Sequence, residues 1–110
     1  MRAKKFKYNN QPTELDGHRF DSKREANRYA ELKLLQMGGK VRGLKRQVRF
    51  RIDVHDEHIC DYIADFCYEE LRKDGLWWSV VEDVKGVRTE VYKLKRRLML
   101  AVHNVQILET

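Results

Sequence analysis

The chain has little of what marks membrane, exported or repetitive proteins. No stretch of its 110 residues approaches the roughly 20 apolar residues of a membrane-spanning helix. The basic N-terminus is followed by no apolar run, so a secretory signal is not expected. There are only two cysteines, Cys60 and Cys67, and their spacing fits no common zinc motif. Without an export signal they are expected to be reduced and half-buried rather than bridged. Internal repeats and low-complexity segments are absent. Acidic residues are in the minority, 17 against 23 Lys and Arg, for a net charge of +6. That surplus suits a polyanionic partner such as nucleic acid; its blander reading is solubility.

Enough apolar residues are present to fold, 42% of the chain. The length suits one domain with one core and leaves no room for a second. Residues 1–12 are basic and polar and read as an arm. Asp16-Gly17, between short β-prone stretches, predicts a small hairpin over residues 13–20. Ser22-Lys23-Arg24-Glu25 matches the capping box S-x-x-E. Ala26, Tyr29, Ala30, Leu32 and Leu35 then recur at helical spacing until Gly38-Gly39 stops the helix.

Val48, Phe50, Ile52 and Val54 alternate with polar residues and predict a half-exposed strand over 48–54. The tetrapeptide His55-Asp56-Glu57-His58 turns the chain into a second strand, 59–68. A third is predicted over 77–85, with apolar residues facing both ways as in a covered central strand. Trp77 and Trp78 would lie on opposite faces and serve packing rather than base stacking. Gly86 breaks that strand. Thr89 is a good N-cap for a helix reaching about His103, with Val91, Leu94, Leu98, Ala101 and Val102 as its apolar side. A short strand over 105–108 closes an α/β sandwich with a mixed sheet.

The chemistry gathers in two strands. Residues two apart on a strand share a face, so Asp83 and Lys85 should project side by side, with Glu82 pointing away. Asp65 interrupts the apolar run Tyr62-Ile63-Ala64-Asp65-Phe66, where an acid is out of place unless something pairs with it. In an antiparallel hairpin Asp65 and Asp83 can oppose each other, and two carboxylates that close repel. A divalent cation removes the penalty, and Mg²⁺ suits hard carboxylate oxygens. Metal, carboxylates and Lys85 together are what phosphodiester hydrolysis needs. The bland reading is a salt-bridged strand, with Asp83 paired to Lys85 or Arg88. Glu25 is open to two readings: the closing member of the capping box, or a third carboxylate facing the sheet. His55, His58 and Cys60 have no recognised zinc spacing and read as a polar hairpin tip.

The pattern F-D-S-x-x-E-A-x-x-Y, then Y-I-A-D-F, then V-E-D-V-K-G, resembles a domain family of phage and prophage genomes. That family belongs to the PD-(D/E)xK nuclease superfamily and is similar to archaeal-type Holliday junction resolvases and to the end-cleaving subunit of heteromeric transposases. The resemblance runs over about residues 8–108 and implies a restriction-endonuclease-like core, a central mixed sheet flanked by two main helices, with residues 13–110 as the nuclease domain. Matched by position, Glu25 is the helical acid, Asp65 the first strand acid, and Asp83 and Lys85 the acid and lysine of the second strand. Two departures stand out: Ala64 where a proline often precedes the first acid, and Asp83 where glutamate is commoner.

The resemblance implies a Mg²⁺- or Mn²⁺-dependent endonuclease acting on DNA, with branched DNA favoured, working as a homodimer in the cytoplasm of a host cell. Glu25, Asp65 and Asp83 would be its metal ligands. Lys4, Lys5, Lys7, Lys23, Arg24, Arg88, Lys93, Arg96 and Arg97 are the candidate phosphate contacts. No base-readout motif is present, so cutting should be structure-selective or weakly selective. The rivals are a non-catalytic DNA-binding module on the same fold, a host-takeover protein whose basic helix grips an acidic partner, and an enzyme acting on RNA.

Overall fold

The computed structural model describes residues 12–110. Lys4, Lys5 and Lys7, and residues 1–11 of the basic arm, lie outside the described residues. The chain opens with the predicted hairpin, β1 (Thr13–Leu15) and β2 (His18–Phe20). Asp16 and Gly17 both take positive φ, 54° and 77°, as a two-residue turn matched to strand twist requires.

Helix α1 (Lys23–Met37) begins as its sequence predicts: the Ser22 hydroxyl accepts from the Glu25 N–H at 3.1 Å. Ala26, Tyr29 and Leu32 are buried, whereas Leu35 faces outward. Gly39 supplies the left-handed residue, φ 80°, that turns the chain out of the helix.

Strands β3 (Val41–Val54) and β4 (Glu57–Leu71) form a hairpin much longer than expected. The sequence shows strand alternation only from Val48 because a register shift lies between Arg42 and Lys45, with Gly43 at φ 67°. The turn at the tip is also tighter than expected. His55 and Asp56, at φ 52° and 66°, make it alone, and Glu57 and His58 already belong to β4. Strand β5 (Trp77–Asp83) stops two residues short of the predicted end. Helix α2 (Glu90–His103) follows, capped by Thr89, whose hydroxyl accepts from the Tyr92 N–H at 3.1 Å. The closing strand β6 (Leu108–Glu109) lies at the end of the predicted segment rather than throughout it.

The four-stranded sheet has the order β3-β4-β5-β6, antiparallel except for the parallel β5–β6 pair. The protein is thus α/β, with a mixed sheet and two main helices, an arrangement compatible with a restriction-endonuclease-like core. The helices cover opposite faces. Val80 packs with Ala26, Tyr29 and Leu32 of α1, while its neighbour Val81 packs against the cluster that holds Tyr92 and Met99 of α2. Among the described residues no helix is long and apolar enough to cross a membrane.

Two expectations need correction. The predicted apolar side of α2 is not its buried side: Val91, Leu94, Ala101 and Val102 are exposed, and Tyr92 and Met99 face the sheet instead. A tyrosine won because its ring fills the core while its hydroxyl donates to Glu109 at 2.6 Å. The second correction concerns β4. Tyr62 and Ala64 join the cluster on the α2 side, yet Phe66 and Tyr68, of the same parity, join the α1 side. Strict alternation fails at Asp65, opposite the point where β3 places Gln47 at φ 51°. Other expectations hold. Cys60 and Cys67 are free and half-buried, and burial pushes the Cys67 thiol up to about 11. Arg42 stacks on Trp77 and Arg72 on Trp78, at 4.1 and 4.8 Å from the ring centres.

Candidate active site

The antiparallel register of β4 and β5 pairs Phe66 with Glu82, and one further step sets Asp65 against Asp83. The two carboxyl groups are close enough to act on each other's charge. Asp65 Oδ2 also accepts from the Val84 N–H at 2.8 Å, because the chain bends just after β5. Asp83, 4% exposed, accepts from the Tyr62 hydroxyl. Its Oδ1 lies 3.2 Å from Lys85 Nζ. Lys85 therefore shares the pocket of Asp83, as spacing two apart predicts, although it stands beyond the strand. The Lys85 and Asp83 backbones remain tied to the sheet, by Lys85 N–H to Thr110 O at 3.1 Å and Thr110 N–H to Asp83 O at 3.0 Å. The Lys85 ammonium sits 3.8 Å from the centre of the Tyr92 ring, a cation–π contact.

Glu25 resolves toward the sheet. Its backbone N–H completes the helix cap, but its carboxylate, on a residue 5% exposed, points inward. Gln47 Nε2 donates to Glu25 Oε2 at 3.2 Å and to Asp65 Oδ1 at 3.4 Å, so one amide links two acids. Arg46 Nη2 lies 3.9 Å from Glu25 Oε2. The electrostatics of the three acids are strained. Burial first, then Asp83 and Glu25, push Asp65 up to about 8. Burial first, then Asp21 and Asp83, raises Glu25. Burial and the Asp83 carboxylate raise the Tyr62 phenol, which stays a donor.

The donor set fits a hard divalent cation. Three carboxylates meet where Lys85 and, at longer range, Arg46 are the basic groups, and two are held above their ordinary range by burial first and then by neighbouring carboxylates. As placed, however, no group of three or more His, Cys, Asp or Glu among the described residues stands ready to hold a metal ion. The Gln47 amide lies between Glu25 and Asp65, and it would have to swing aside for all three acids to share one ion.

Glu82, one residue from Asp83, belongs to the other face. It is fully buried and accepts from Arg28 Nε at 2.6 Å, Arg28 Nη2 at 3.1 Å, Tyr68 at 2.5 Å and Thr110 Oγ1 at 2.8 Å. Among the candidate phosphate contacts, three are engaged with acids. Arg88 and Arg96 both bind Glu109, at 2.7 and 2.8 Å, and Lys93 binds Glu90 at 3.1 Å. With the Tyr92 hydroxyl as the leading donor, these partners hold Glu109 down at about 2. Lys23, Arg24 and Arg97 carry no hydrogen bond or ion pair among the described residues.

Sequence reasoning missed Gln47, Arg46, Tyr62 and Tyr92. Arg46 and Gln47 fall in the part of β3 hidden by the bulge, Tyr62 read as a member of an apolar run, and Tyr92 lay outside the predicted apolar side of its helix. A polar Gln at the boundary of a cationic run was the one available signal, and it is weak. At the hairpin tip, His58 Nδ1 meets Asp53 Oδ1 at 3.0 Å, a surface polar pair in keeping with the reading of that turn.

One protein-family model matches the chain, over residues 5–108; its description is "Protein of unknown function (DUF1064)", and the chain belongs to that family. No curated protein and no solved structure matches.

Proposed function

We propose that this member of the DUF1064 family is a metal-dependent endodeoxyribonuclease of the PD-(D/E)xK superfamily, hydrolysing DNA phosphodiesters. The observation that carries the reading is the meeting of Glu25, Asp65 and Asp83 beside Lys85, with Asp65 raised by burial first and then by Asp83 and Glu25. Asp65 and Asp83, with Glu25, would hold Mg²⁺ or Mn²⁺. A bound Mg²⁺ supplies Lewis-acid stabilisation of the phosphate and lowers the pKa of water.

The side chains divide the remaining work. Lys85, fixed between Asp83 and the Tyr92 ring, presents its ammonium to charge developing on the phosphate or orients the attacking water. Tyr62 fixes the rotamer of Asp83 by its hydrogen bond, and the Val84 N–H does the same for Asp65. Gln47 bridges Glu25 and Asp65 in the metal-free protein and would release them when the ion binds. Phosphate contacts away from the acids position the duplex without reading sequence, which suits selection by DNA shape. Branched DNA as substrate, a homodimer and a cytoplasmic setting are part of the same proposal, since two strands of a junction need two sites.

A non-catalytic DNA-binding module is the second reading, favoured by the Gln47 amide lying between two acids that a metal must share. Cleavage of plasmid and four-way-junction DNA with Mg²⁺, Mn²⁺ or EDTA separates the two. Metal-dependent cutting by the wild type, lost in Lys85→Ala, supports the enzyme. No cutting of any DNA form supports the binding module.

A further inference from the structure

A cavity of about 420 Å³ opens beside the first two turns of α1, with Val84 and Thr110 at its sheet side. Lys23, Arg24 and Asn27 line it, and Arg28 and Glu31 complete the wall. Arg28 is not a free cation. It is committed to the buried Glu82 through Nε and Nη2 and to Glu31 through Nη1, which also pairs the one acidic side chain of the lining. Lys23 and Arg24 are different, because neither has a polar partner among the described residues. The cavity thus presents two uncommitted positive charges and the amide of Asn27.

Its position gives these charges a direction. Val84 is shared between the cavity and the carboxylate cluster, since its N–H donates to Asp65 at 2.8 Å. Arg24 directly precedes Glu25. By contrast, Arg88, Lys93 and Arg96 around α2 are spent on Glu109 and Glu90. Arg97 is free but lines a different cavity, where the Glu109 carboxylate and its partner Arg96 also stand, a setting that repels a phosphate.

We propose that the Lys23–Arg24–Asn27 cavity is a backbone-phosphate subsite, which holds a phosphate of the DNA strand next to the one presented to Glu25, Asp65 and Asp83. It takes DNA as ligand from the nuclease reading but needs no cleavage to be tested. Lys and Arg bind such a phosphate as charge-assisted donors, and Asn27 adds a neutral one. The α1 side, rather than α2, is then the surface along which the strand enters.

The test is binding of the full chain to a short labelled DNA duplex in EDTA, measured by fluorescence anisotropy over a range of salt concentrations. The Lys23→Ala/Arg24→Ala double variant should bind on the order of tenfold more weakly, with a salt dependence shallower by about 1 in log–log slope, as loss of one phosphate contact requires. Lys23→Arg should bind like the wild type, and so should Lys73→Ala, a loop lysine away from the cavity. A double variant with wild-type affinity and slope, at unchanged melting temperature, overturns the subsite. So does a variant that loses binding to duplex RNA while keeping DNA. The two proposals fail separately: weakened binding in the double variant supports the subsite even if the wild type never cuts DNA. Normal binding removes the subsite even if the wild type cuts.

Discussion

Two buried acids stand next to each other on β5 and live in opposite worlds. Glu82, on the α1 face, is fully enclosed and receives four hydrogen bonds, two from the guanidinium of Arg28. The Glu82 bonds raise Arg28 above its already high range. Asp83, on the α2 face, shares its surroundings with Asp65 and Glu25, and the cations near them are Lys85 and a distant Arg46. The first arrangement is complete and builds the fold. The second has more negative charge than its protein partners balance, the condition expected of a site that takes up a cation.

The comparison breaks most visibly if Glu82 is removed. Glu82→Ala strands the Arg28 guanidinium, and it should cost about 3–5 kcal/mol of stability in a urea unfolding curve. On the other face the effect should fall on activity instead. Asp83→Asn should lower metal-dependent cleavage by about 100- to 1000-fold while the melting temperature holds or rises. Tyr62→Phe tests whether the phenol merely packs. Losing its hydrogen bond to Asp83 should weaken Mn²⁺ affinity by about 10- to 100-fold with an intact fold.

The smallest expected effect is on pH dependence. Asp65 and Glu25 have raised values in the folded protein. Their contribution to metal-free stability is therefore full below the ordinary carboxylate range and is lost as pH rises through the folded values, up to about 8 for Asp65. In EDTA the protein should melt lower at pH 9 than at pH 6. Asp65→Asn should flatten that slope and gain about 1 kcal/mol at the alkaline end. Added Mg²⁺ should stabilise the wild type more as pH rises, because binding competes with the proton.

Much of this contrast was legible in the residues themselves. Strand alternation separated Glu82 from Asp83, and an acid inside the apolar run of β4 pointed to Asp65. The S-x-x-E box placed Glu25 in the first turn of α1 but left its carboxylate undecided, because capping and facing the sheet make the same sequence demand. What sequence hid is what tertiary packing decides. The bulge at Gly43 breaks the alternation of β3, so Arg46 and Gln47 fell outside the strand predicted over 48–54. The apolar positions of α2 formed a clean helical stripe, yet Tyr92 and Met99 took the sheet because Tyr92 could also satisfy its hydroxyl on Glu109. The pairing of Arg88 and Arg96 with that same glutamate lies across elements and leaves no local pattern.

The most direct measurement is calorimetric titration of Mn²⁺ into the metal-free protein in two buffers of different ionisation enthalpy. The account predicts binding coupled to proton release near neutral pH, lost in Asp83→Asn and retained in a folded variant such as Lys73→Ala. Absence of binding by the wild type, or undiminished binding by Asp83→Asn, would contradict it.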